Sequence, residues 1–229
     1  MAAPIAMVLE NAVSVTVAET PIRTLADMLR RLGNVPLDRI RFHPAPGLAT
    51  ERDVLDVEQR ENVACELIDG VLVEKGMGYR ESILATALAA ILRAFVRPRN
   101  LGIVSGPDGM MRLFPGLVRI PDVAFASWDR IPGRKIPQAP IPDLSPDLAV
   151  EVLSESNTEA EMQRKLREYF ESDVRLVWLI DPKTRTVRVY TSERQSKLLT
   201  GDAVLSADEV LPGFQLALAE LFAELDIEG

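Results

Sequence analysis

Two carboxylates occupy places in this sequence where an acid is hard to keep. Asp122 follows Pro121 and opens the β-type run Val123-Ala124-Phe125-Ala126, and Glu151 interrupts the apolar stretch Leu148-Ala149-Val150-Glu151-Val152-Leu153. An ionised carboxylate buried alone is costly, so each must be paired, hydrogen-bonded or bound to a cation. If both face one point, their oxygens suit a hard divalent ion such as magnesium or manganese. Taken singly, each also fits a blander role, in a buried pair with an arginine or at a strand end that reaches water. The remaining inventory narrows the chemistry. One cysteine, Cys65, and one histidine, His43, allow no internal disulfide and nearly exclude a thiolate zinc site or a Cys–His catalytic pair. Cys65 lies in Val63-Ala64-Cys65-Glu66-Leu67-Ile68 and reads as a buried structural thiol. Ser154 and Ser156 have no nearby histidine, which argues against a serine hydrolase. Gly76-Met77-Gly78 is too short for a dinucleotide-binding loop.

The elements that must position the two acids can be read from periodicity and turn chemistry. Residues 1 to 20 read as a loose arm, followed by a short helix from Leu25 to Leu32, capped by Thr24 and ended by Gly33. Residues 42 to 57, with Pro44, Pro46 and Gly47, read as a loop. Ala64 to Ile68 and Val71 to Lys75 are strand-like and joined by Asp69-Gly70, a strong hairpin signal. Ile83, Leu84, Ala87, Leu88, Ile91, Leu92 and Phe95 follow a helical period from about Arg80 to Val96, where Pro98 ends the pattern. Short strands are expected at Gly102 to Ser105, Met110 to Leu113 and Asp122 to Ala126, then a surface loop from Trp128 to Pro146. Asp147 to Leu153 reads as a strand buried on both faces. Thr158 and Glu161 form a capping-box pattern for a helix from Glu159 to Glu171. Strands at Arg175 to Ile180 and Val187 to Thr191 follow, with weaker ones at Lys197 to Leu199 and Ala203 to Leu205, and a closing helix from Ala217 to Leu225. This order points to a mixed sheet flanked by helices.

Six blocks in succession resemble the PD-(D/E)XK nuclease superfamily, and within it a widespread family of restriction-endonuclease-like proteins. They are Glu66-Leu67-Ile68-Asp69-Gly70, Pro121-Asp122-Val123, Glu151-Val152-Leu153-Ser154, Lys165 with Tyr169, Val177 to Pro182, and Leu211-Pro212-Gly213-Phe214. The likeness spans roughly residues 61 to 222. It implies an α/β (α+β) fold of the restriction-endonuclease type over residues 61–229, preceded by an N-terminal arm and short helix in 1–60. It also implies metal-dependent phosphodiester hydrolysis by a DNA endonuclease using Mg2+ or Mn2+. Asp122, Glu151 and Lys165 would be catalytic, and Asp122, Glu151, the main-chain carbonyl of Val152 and Glu81 would hold the metal.

The sequence departs from this pattern in two places. The superfamily's lysine two positions after the acid is Leu153 here, and Lys165 on the following helix is the matching candidate. On its own, Lys165 also suits an exposed pair with Glu161, worth only about 0.2–0.5 kcal/mol. Relatives often carry a histidine near the start of the long helix, where this chain has Tyr79-Arg80-Glu81-Ser82. Glu81 is then either a third acidic ligand or an acid favoured in a first helical turn. Two other readings stay open: a nuclease fold that binds or regulates without turnover, and an interaction module with Asp122 and Glu151 in buried ion pairs.

Charge speaks mildly against indiscriminate nucleic-acid binding, since 34 acidic against 26 basic residues give a formal charge of -8. A local basic face is still compatible with that total. Arg112, Arg119, Arg130, Arg134 and Lys135 are the candidate substrate contacts, each equally consistent with a solvated surface. A homodimer would suit cleavage of both strands of a duplex. The first twenty residues lack a basic leader pattern, and no apolar run approaches the roughly 20 residues of a membrane span. The expectation is therefore a soluble, cytoplasmic protein.

Overall fold

The computed structural model describes residues 22–76 and 78–227, so the arm expected over residues 1 to 20 lies outside the described residues. Helix α1 (Leu25–Arg31) begins at Thr24, whose hydroxyl and N–H exchange bonds with Asp27 in a capping box. Helix α2 (Glu51–Glu61) then occupies much of the stretch expected to be a loop. The Asp53 carboxylate fixes its start by accepting from the Thr50 N–H at 2.8 Å and the Thr50 hydroxyl at 2.6 Å. Its mostly charged sequence puts only a narrow apolar stripe, with Val54 and Val57, into the core.

Strands β1 (Cys65–Ile68) and β2 (Val71–Glu74) form the expected hairpin. Asp69 and Gly70 take φ of 51° and 72°, the left-handed pair that a tight two-residue turn demands. The long helix α3 (Tyr79–Val96) follows, then β3 (Gly102–Ser105), β4 (Met111–Phe114), β5 (Leu117–Arg119) and β6 (Val123–Ser127). Strand β5 falls where no element was expected. After two short 3-10 turns come β7 (Leu148–Val152), α4 (Glu159–Glu171), β8 (Leu176–Asp181), β9 (Thr186–Ser192) and β10 (Gln195–Leu199). The chain closes with β11 (Val204–Ser206), β12 (Gln215–Ala217) and α5 (Leu218–Ala223).

The main sheet has six strands in the order β10-β9-β8-β7-β6-β3. Its parallel pair, β7 and β8, is joined by α4 as the crossover, and its other neighbours are antiparallel. A smaller sheet, β2-β1-β5-β4, packs beside it. Side-chain alternation divides the main sheet into two faces. Val123, Phe125, Leu148, Val150 and Trp178 pack with Leu84, Leu88 and Leu92 of α3 and with α5. Ala124, Ala149, Val177 and Leu179 face the other way, toward Met162, Leu166 and Tyr169 of α4, and toward Met28, Leu32 and Ile40 from the N-terminal part of the chain. The N-terminal residues therefore share a core with the sheet. Among the described residues no helix is long and apolar enough to cross a membrane.

Candidate active site

The alternation that builds the two faces also decides where the two strand acids point. Asp122 stands two residues before Ala124 and Glu151 two after Ala149, so both project to the face covered by α4. Strands β6 and β7 pair with Val123 opposite Val150, which brings Asp122 and Glu151 together at the end of that ladder. Both are buried, at 3% and 5% exposure.

Each acid is held by its own lysine. One Asp122 oxygen accepts from the Val152 N–H at 2.6 Å, and the other lies 2.7 Å from the Lys75 ammonium. Lys75 also donates to the carbonyls of Ile120 at 2.7 Å and Pro107 at 3.1 Å. Glu151 accepts from Lys165 Nζ at 2.9 Å and from the Tyr169 hydroxyl at 2.5 Å. Lys165 and Tyr169 are four residues apart on α4, so they share the face that meets the sheet. Behind them lies a third carboxylate, Glu66 on β1, 3.2 Å from Lys165 and 2.6 Å from the guanidinium of Arg119. Arg119 also binds Glu168, which Arg164 holds from the other side at 2.6 Å.

This network sets the protonation states. Burial raises the Glu151 pKa, and neighbouring Asp122 raises it further, against the pull of Lys165. Burial also acts against ionisation of Glu66, but Lys165 and Arg119 outweigh it and hold its pKa at about 2. For Lys165, burial opposes the charge, yet Glu151 and Glu66 prevail and lift its pKa above the ordinary lysine range. A lysine so held stays an ammonium at neutral pH, able to stabilise negative charge but not to act as a general base. Burial and Glu151 together push the Tyr169 phenol well above its usual range.

The structure thus brings two carboxylates on neighbouring strands to one sheet face, with a helix lysine bonded to one of them. The chain matches the family described as "Uma2: Putative restriction endonuclease" over residues 52–219. It belongs to the Uma2 family. A crystal structure from Anabaena variabilis ATCC 29413, described as a putative nuclease belonging to DUF820, shares the fold, with a TM-score of 0.64 at 22% sequence identity. The similarity covers 72% of this chain and 92% of that one. No curated protein matches the chain in sequence.

Within this Uma2 chain the structure relocates several residues singled out from sequence. Lys165 is buried against Glu151 rather than exposed beside Glu161, whose carboxylate instead binds Arg39 at 2.8 Å. The capping box at Thr158 is thus half-formed: Thr158 accepts from the Glu161 N–H at 3.1 Å, while the Glu161 side chain is engaged elsewhere. Val152 meets Asp122 through its N–H. Leu153, where the superfamily has lysine, packs on the same face as Glu151, and Lys165 reaches that acid from α4.

Glu81 lies in the first turn of α3 and lines a cavity with Leu153. Among the described residues no three carboxylate, imidazole or thiolate groups converge as a metal cluster, so the structure does not join Glu81 to the two strand acids. Arg119 is a correction of a different kind. It is 1% exposed and bonded to two carboxylates, so it cannot touch a substrate. Arg112 pairs with Glu51 on α2. Arg130 binds Asp147, which precedes β7 at the end opposite Glu151. Arg134 pairs with Asp129, and Lys135 is exposed on the same loop. Sequence reasoning missed Lys75 and gave Glu66 no role. The available signal was that Glu66 interrupts the apolar residues of β1 and Lys75 follows directly on β2.

Proposed function

We propose that the chain is a metal-dependent phosphodiesterase acting on DNA, with Asp122 and Glu151 as its acidic pair and Lys165 as the charge-stabilising cation. The observation that carries this reading is the placement of both acids on one sheet face, at neighbouring strands, under the helix that supplies Lys165. Two carboxylates fit magnesium or manganese, which commonly bind through one or two carboxylates and keep water and substrate oxygens in the remaining positions. Asp122 and Glu151 would hold that ion, with the carbonyl of Val152 as a further oxygen donor. When bound, it would lower the pKa of a water molecule and polarise a phosphate oxygen. Hydrolysis joins the water oxygen to phosphorus and breaks one P–O ester bond, with the leaving oxygen taking up a proton. Lys165 offsets charge that accumulates on the phosphoryl oxygens, and its bond to Glu151 fixes it before substrate arrives. Tyr169 orients Glu151 from the other side.

A test is relaxation or linearisation of supercoiled plasmid with magnesium or manganese. Asp122→Asn and Lys165→Met are each expected to lower the rate by at least about a hundredfold, the scale of losing one electrostatic stabiliser. Cleavage that persists in Asp122→Asn, or no cleavage by the unmodified protein with either metal, overturns the proposal.

A second reading is a nuclease fold retained for binding without turnover. It is favoured by one observation: all four oxygens of Asp122 and Glu151 already have protein donors. Calorimetry with manganese separates the two, since a site locked by its own lysines gives no binding heat above background.

A further inference from the structure

The basic residues expected to meet substrate are tied up or sit away from the acids, which leaves open what would hold a nucleic-acid backbone. A cavity of about 920 Å³ opens at the carboxyl ends of the parallel pair β7 and β8, where open α/β sheets commonly bind their ligands. Neither strand acid lines it, but its wall borders Glu151 along the chain and across the strands. Leu153 in its lining is two residues beyond Glu151 on the same face, and Met162 is one helical turn before Lys165.

The strand register extends this relation. Glu151 pairs with Leu179 on β8, and Leu179 pairs with Arg188 on β9. Residues directly opposite share a face, so Glu151, Leu179 and Arg188 form one row across three strands. Arg188 is therefore two strand spacings from Glu151, roughly 10 Å between backbones. Its side chain is exposed and lines the cavity, as do those of Lys183 in the β8–β9 turn and Arg80 at the start of α3.

Among the described residues Lys183 and Arg188 make no side-chain hydrogen bond or ion pair, while Arg80 lies within the electrostatic reach of Asp226 without a hydrogen bond to it. Arg185, on the same rim, is already engaged with Asp226 at 2.7 Å. Asp181 turns its carboxylate into its own turn, accepting from the N–H groups of Lys183 at 2.8 Å and Thr184 at 3.2 Å. Glu81, Glu155 and Glu159 complete the charged lining, so the cavity is mixed in sign and not a uniformly basic plate.

We propose that this cavity is the track for the phosphate backbone of a nucleic-acid substrate, held by Arg80, Lys183 and Arg188 and leading to Asp122 and Glu151. The inference rests on the nuclease reading for its direction, but it is tested by binding alone. Fluorescence anisotropy of a fluorescein-labelled duplex oligonucleotide, in EDTA to prevent cleavage and across a salt series, gives both affinity and salt slope. Each lysine or arginine on a phosphate contributes about 0.9 to that slope on duplex DNA. The triple variant Arg80→Ala, Lys183→Ala, Arg188→Ala is expected to bind on the order of tenfold or more weakly at low salt, with the slope reduced by roughly 2–3.

Arg134→Ala, on the loop beyond the opposite end of β7, is expected to bind like the unmodified protein. All of these side chains are exposed, so unchanged circular dichroism and melting temperature establish that the variants fold. Unchanged affinity and slope in the triple variant, an equal loss in Arg134→Ala, or no binding by the unmodified protein each overturn the track. If plasmid cleavage depends on Asp122 while the triple variant binds normally, the track falls and the nuclease reading stands. If binding depends on the three basic residues but no metal supports cleavage, the track stands and hydrolysis falls.

Discussion

Replacing Arg119 with methionine distinguishes a buried structural cation from the surface contact that its sequence position suggested. Arg119 is 1% exposed and bonds Glu66 at 2.6 Å and Glu168 at 2.8 Å. Methionine keeps much of the volume but leaves both carboxylates buried without their shared partner. Breaking a buried pair from one side costs about 3–5 kcal/mol. Some compensation survives, since Glu66 keeps Lys165 at 3.2 Å and the Ile120 N–H at 3.2 Å, and Glu168 keeps Arg164 at 2.6 Å. The lower end of the range is therefore expected, about 3 kcal/mol, which for a chain of this size lowers the melting temperature by roughly 6–12 °C. Urea unfolding followed by tryptophan fluorescence can measure the loss, because Trp178 is fully buried in the main core. Arg119→Lys should fall between the two, since an ammonium keeps the charge but not the two-sided fork. A loss below about 1 kcal/mol with an unchanged denaturant slope refutes the reasoning. Weaker DNA binding at full stability would do the same.

Three further outcomes follow from the geometry. Lys165 and Arg119 hold the buried Glu66 carboxyl at about 2, below the ordinary glutamate value of 4.5, so its stabilising contribution is present above about 4.5 and fades as pH falls toward 2. Glu66→Gln should therefore be less stable than the unmodified protein at neutral pH, with the gap narrowing through that window in acid-dependent melting curves; a constant gap contradicts the assignment. Gly33 takes φ of +81°, and a Cβ there would lie 2.6 Å from the backbone of Glu161. Gly33→Ala is expected to cost more than about 1 kcal/mol in urea unfolding, so a neutral result would mean that this contact with α4 is loose. Burial pushes the Cys65 thiol up to about 11, so in native protein it should not react with a disulfide reagent at pH 8 and should react stoichiometrically once unfolded.

Local chemistry made much of the architecture legible. Asp69-Gly70 announced the β1–β2 hairpin because few other pairs accept two positive φ values in succession. The unbroken apolar run around Glu151 signalled a central strand, and the apolar spacing of α3 its buried face. Helix α2 was hidden because its core stripe is narrow and the preceding prolines dominated the reading, although Thr50 and Asp53 carried a capping signal. The acid pair was legible for the same reason as the strands, since polar residues in apolar runs stand out. Their partners were not. Lys75 meets Asp122 through a pairing 47 residues apart, and no local pattern records which carboxylate a strand-end lysine will reach. Arg119 illustrates the converse, since a charge beside Ile120 looks the same in sequence whether the strand faces solvent or a buried glutamate.

The family match begins at residue 52, yet the segment before it behaves like an inserted keystone. Arg39 grips Glu161 and the Glu74 carbonyl, Ile40 bridges to Val73, and Val35 fills the space beneath α4. A chain trimmed to the matched region would expose oily surface on two sheets and strand an acid at the head of α4. Recombinant dissection of this protein at the family boundary would therefore remove part of the shared core, and another leader grafted onto the matched region would need to bring its own partner for Glu161.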